Sequence, residues 1–259
     1  MSTATHRPTP RHQLNLPGQA HLATGPLDLN GMFMAHHAFR RDLARFALAA
    51  RQNPVEARDV WRALAVRWEQ FAGILHHHHT TEDAVLWPQL LEIVDATGDP
   101  AGRATLEAME AEHEHIDPLL RSCAAGFAAM ARQPDAATRG ALAGSTEIAR
   151  GTLCDHMAHE ETEALPLVQK LLSAEGWERV EQAAGAGKSV SDLLFLVPWV
   201  ADGLTPGQLG SAFRSVGQGF RVLLALTRGR YARREAVAFR YDTVGLPADT
   251  AARSRPRRR

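Results

Sequence analysis

Apolar residues recur at three- and four-residue intervals along most of the first two thirds of the chain. Met32, Phe33, Phe39, Leu43 and Phe46 fit one face of a helix from about Leu29 to Arg51, which Asn53-Pro54 ends. Val60, Leu64, Trp68, Phe71, Leu75 and Leu86 define a second helix, kinked at Pro88 and ended by Thr97-Gly98-Asp99-Pro100. Leu106, Met109, Ile116 and Leu120 mark a third helix, reaching about Met130. Leu142, Ile148, Leu153 and Leu167 mark a fourth, reaching about Leu172. Residues 1–26 show no such period and read as a flexible leader, with His6, His12 and His21 in solvent.

Beyond Gly176 the apolar stretches shorten, as in Leu193–Trp199 and Phe220–Leu226, and Gly, Pro and Asp separate them. Two or three further helices are expected over 176–252, packed on the bundle, on a protein partner or, by self-association, on a second copy of the chain. Residues 253–259, with their run of Arg, read as a basic disordered tail. The fold class expected is all-α: an up-down four-helix bundle over 28–173 with a C-terminal helical extension.

Polar residues interrupt the apolar faces at matched places. His78 precedes Glu82 and His156 precedes Glu160, each by four residues, and each Glu is followed by a second acid and, six residues on, by Pro88 or Pro166. Positions i and i+4 share a helix face, so imidazole and carboxylate can reach one metal ion together. His36 lies 42 residues before His78, and His113 lies 43 before His156. The chain therefore reads as a duplicated helical hairpin whose four helices point ligands inward.

Of thirteen His, ten fall between residues 36 and 159. His36 is chosen over His37, and His113 over His115, because Phe39, Leu43, Ile116 and Leu120 continue their faces. Within the run His76–His79, residues 78 and 79 lie within one turn of Glu82, and His76 and His77 are expected in solvent or behind the ligands. The expected metal ligands are His36, His78, Glu82, His113, His156 and Glu160, with His79 as a candidate seventh. Asp83 and Glu161 are expected to hold ligand imidazoles from behind. Imidazole and carboxylate without thiolate suit iron, with manganese or zinc less favoured, and two symmetric Glu can bridge two ions.

This ordered set of residues resembles the hemerythrin family, and among its members the bacterial and actinobacterial HHE cation-binding domains. The resemblance implies a non-haem diiron centre that meets dioxygen, hydrogen peroxide or nitric oxide as a small-molecule ligand. Peroxide disproportionation is the activity it favours, and a binding or sensing module without turnover is the alternative. The chain departs from the oxygen carriers in having Met109 and Asp117 where a second imidazole one turn from His113 would stand. The repeat also selects Glu160 where those proteins use the position of Glu161. The resemblance allows His79 to supply the missing nitrogen, and Glu110, one turn before His113, could enter the ligand shell.

Charge excludes some classes. Lys and Arg total 29 against 29 Asp and Glu, which argues against nucleic acid as a partner. No apolar run nears the ~18 residues of a membrane span, and no signal peptide is evident. Cys123 and Cys154 without a CxxC suggest free thiols and a cytoplasmic setting. Neither a nucleophile triad nor a nucleotide-binding loop is present, so any catalysis rests with the metal ligands.

Overall fold

The structure, a computed structural model, describes residues 10–216 and 218–242, with side chains described throughout except at 214–216. Helix α1 (Asn30–Gln52) stops at the Asn53-Pro54 break, and α2 (Arg58–Thr81) runs back beside it. A π-helical turn (Glu82–Leu86) joins α2 to α3 (Trp87–Thr97). Asp99 caps α4 (Pro100–Arg132) by accepting from Gly102 N–H, with Pro100 at the first helical position, where a missing N–H costs nothing. Asp135 likewise caps α5 (Ala136–His159), which a second π turn (Glu160–Ala164) links to α6 (Leu165–Leu171).

These helices form the four-helix bundle expected from the apolar spacing. Met32, Phe33, Phe39, Leu43, Phe46, Leu64, Trp68, Phe71, Leu75, Leu106, Met109 and Ile116 are all buried. Ile148 is an exception, 59% exposed, because Thr146 and Ala149 take the inward positions of α5 beside it. The core forms two apolar clusters. One contains Phe39, Leu75, Ile116 and Leu153, and the other contains Phe33, Leu86, Met109 and Leu165. The His and Glu of the repeat lie between them in sequence on every helix, as a polar layer within an apolar column.

The leader expected to be flexible does not behave so over residues 10–26. Leu14, Leu16, Ala23 and Leu27 are buried against the bundle. Side chains hold this segment's backbone. Asn30 Oδ1 accepts from Leu14 N–H at 2.6 Å, and Gln169 accepts from Leu27 N–H while its amide donates to the carbonyls of Ala23 and Leu27. Such anchoring leaves no helical period to read. His12 and His21 are exposed, and His6 lies outside the described residues.

The extension contains four helices among the described residues: α7 (Ala174–Gly185), α8 (Val190–Ala201), α9 (Pro206–Val216) and α10 (Gln218–Ala238). A buried ionic knot docks α8 and α10 on the bundle. Arg67 Nε donates to Glu235 at 2.7 Å and Arg67 Nη2 pairs with Asp42, which also accepts from Trp199 Nε1 at 2.7 Å. Burial would raise the Asp42 carboxyl, but Arg67 and Arg41 hold it below the usual carboxylate range. No helix among the described residues is long and apolar enough to cross a membrane. The basic tail at 253–259 lies outside the described residues.

Candidate metal centre

Both repeat glutamates begin a π turn, for a local reason. A proline ring inside an α-helix clashes with the carbonyl four residues earlier and lacks the N–H that would bond it. Six residues ahead of Pro88 and Pro166, the chain widens instead. Trp87 N–H donates to the Glu82 carbonyl and Leu165 N–H to that of Glu160, each five residues back. The His-xxx-Glu-x5-Pro pattern thus places each Glu at the start of a wide turn, a device common at functional sites.

The seven expected ligands meet in two adjoining groups. His36, His78 and Glu160 bring ligand atoms within 4.8 Å of one another, and so do His79, His113 and His156. Glu82 touches both: Oε1 lies 3.1 Å from His78 Nε2, and Oε2 lies 3.6 Å from His113 Nε2. His36 Nε2 and Glu160 Oε2 stand 3.0 Å apart. His79 stacks on His113 with ring centroids 4.0 Å apart.

Carboxylates hold three of the imidazoles from behind. His36 Nδ1 is 2.9 Å from Glu161 Oε1, and His113 Nδ1 is 2.7 Å from Asp83 Oδ1. His156 Nδ1 is 2.7 Å from Glu112 Oε2, whose other oxygen takes His159 Nδ1 at 2.7 Å. Glu112 is absent from the residues expected from the sequence. It belongs to no repeat, and its partners lie on α5, so only helix packing reveals it. Glu161 is itself gripped by Arg40 and by the backbone N–H of Ala20, at 2.6 Å, in the N-terminal segment.

The residues set aside lie elsewhere. His37 Nδ1 approaches the Pro17 carbonyl at 3.4 Å, and His77 Nε2 lies 3.0 Å from that of Ala184. His76, His115 and Glu110 are exposed. Glu110 belongs to neither ligand group.

Burial governs the electrostatics. It pushes His78 down to about 3 and His79 well below the usual imidazole range. Burial also opposes a charged His36, but Glu160 and Glu161 outweigh it and raise the imidazole to about 9. Glu82 is raised well above the usual range by burial and by the charges of Glu160 and Asp83. Burial would raise Glu160 too, yet His36 brings it down to about 2.

A metal cation fits this donor set. Both oxygens of Glu82, both of Glu160, His36 Nε2 and His79 Nδ1 are buried without a hydrogen-bond partner. Each such orphan costs about 1–3 kcal/mol unless something satisfies it. His36 Nε2 and Glu160 Oε2 approach closely without aligning as donor and acceptor, as atoms sharing a third partner do. Nitrogen and carboxylate oxygen without thiolate are donors for iron, manganese or zinc.

Comparison with protein families matches residues 28–168 to the Hemerythrin HHE cation binding domain. The chain belongs to this family, whose domains bind metal cations, usually iron. No curated protein and no solved structure matches it.

Proposed function

We propose that the bundle holds a dinuclear iron centre and uses it to disproportionate hydrogen peroxide, two molecules giving two of water and one of dioxygen. The observation that carries the dinuclear reading is Glu82, whose two oxygens reach one imidazole of each ligand group. In this reading His36, His78 and Glu160 would hold one ion, His79, His113 and His156 would hold the other, and Glu82 would serve both. Two iron ions, when bound, supply a shared two-electron change suited to peroxide.

The chain's own groups do the rest. Glu161, Asp83 and Glu112 fix the orientation of His36, His113 and His156 through their Nδ1 atoms. The apolar clusters on either side exclude bulk water. Arg40 and the Ala20 N–H hold Glu161 in turn, so the N-terminal segment belongs to the support of the site. Unpaired Cys123 and Cys154 suit a cytoplasmic setting.

One contact favours a second reading, an oxygen, nitric oxide or iron sensor without turnover. Phe39 lies 5.2 Å from His78 and 5.3 Å from Trp199 of α8, linking the centre to the extension. An oxygen electrode distinguishes the two. Sustained dioxygen release from iron-loaded protein after repeated peroxide additions is the outcome expected, and binding without release would favour the sensor.

A further inference from the structure

A cavity of about 170 Å³ opens beside one half of the centre, in the groove between α2 and α4. Its walls follow from helix spacing. From α2 and the turn after it come His76, His79 and Asp83, and from α4 come Glu110, His113, Glu114 and Asp117. On each helix these positions fall at steps of three, four and seven, so one stripe from each faces the groove. The outer wall is acidic: Glu110 and Glu114 are exposed, and Asp117 has Arg121 at 3.8 Å as its ion-pair partner. The inner wall is His79, 4% exposed, whose Nδ1 has no hydrogen-bond partner. His113, beside it, is tied through Nδ1 to Asp83.

The opposite half of the centre is covered differently. Glu161, behind His36, is closed over by Arg40 and by residue 20 of the N-terminal segment. The α2–α4 groove therefore offers a short path from solvent to ligand atoms, and its mouth carries negative charge.

The geometry points to a loading vestibule: Glu110, Glu114 and Asp117, with His76, capture divalent cations from solvent and pass them to His79 and His113. This rests on the metal-centre reading above and adds a route and a capture site to it. Clefts lined with one sign of charge raise the local concentration of the opposite ion, and on-rates with it, by about 10- to 1000-fold. The acids act on the rate of filling, since none of the three belongs to a ligand group.

The test follows cobalt(II) uptake by the metal-free full-length chain, by stopped-flow absorbance, at low and high salt. E110Q/E114Q/D117N is compared with the parent and with E69Q/E92Q/E178Q, which removes equal charge from exposed positions elsewhere. The vestibule predicts uptake slowed about tenfold at low salt in the first variant only. It also predicts a weakened salt dependence there and the same final cobalt content as the parent. Equal rates in all three proteins, or equal slowing in both variants, would overturn it. So would a lower final content in the first variant, which would make the acids ligands. Absence of uptake by the parent would remove the centre itself, and the vestibule with it.

Discussion

The Nε2 atoms of His113 and His156 face each other at 3.1 Å, and each ring has its Nδ1 against a carboxylate 2.7 Å away. A nitrogen so close to a carboxylate carries the proton, so in the neutral imidazoles both Nε2 atoms present bare lone pairs. Two lone pairs at that distance repel unless a cation lies against both. In the proposed centre the carboxylates Asp83 and Glu112 thus do more than orient: they fix the tautomer that would let both nitrogens take a cation.

Asp83→Asn or Glu112→Gln should therefore weaken metal binding by about 10- to 100-fold while leaving the ligands in place. Competition with a chelator, read by metal content, checks this. Unchanged affinity in both variants would mean that the tautomer is set by something else.

Removing a ligand should do more. Glu82→Ala or Glu160→Ala is expected to release most of the metal, whereas His76→Ala should retain it, since His76 is exposed and outside both ligand groups. Equal loss from His76→Ala would show that the His run has been divided wrongly.

That division rests on helix periodicity. His78 and His79 fall within one turn of Glu82, and the repeat at His156 and Glu160 gives an independent copy of the same spacing. Glu112 was not legible, because its value comes from reaching across to His156 and His159 on α5. Nor was the packing of residues 10–26, where Gln13, Asn30 and Gln169 replace a helical ladder with side-chain contacts to backbone. The docking of α8 and α10 escaped for a related reason. Arg67 reads as one more polar position on α2, and its partner Glu235 is 168 residues away.

Asp42→Asn should destabilise the fold by about 3–5 kcal/mol, the usual cost of removing one partner from a buried ion pair, because Arg67 stays buried. Denaturant unfolding measures it. A loss below about 1 kcal/mol would mean that Arg67 finds water or another acceptor.

The same pair sets an acid limit. Asp42 has a folded value below its ordinary one, so its contribution is complete above about pH 4 and is lost as pH falls through the folded value. Parent stability should fall with acid in that range more steeply than that of Asp42→Asn. Parallel curves for the two proteins would show that Asp42 does not titrate with folding.

Whether the bundle holds a dinuclear iron centre is read from the metal content of full-length protein prepared without a metal-affinity step, together with its optical spectrum. About two iron ions per chain are expected, as a bundle carrying two ligand groups should hold, with near-ultraviolet bands. One ion per chain, none, or zinc, which is d¹⁰ and gives no such bands, would contradict a dinuclear iron centre.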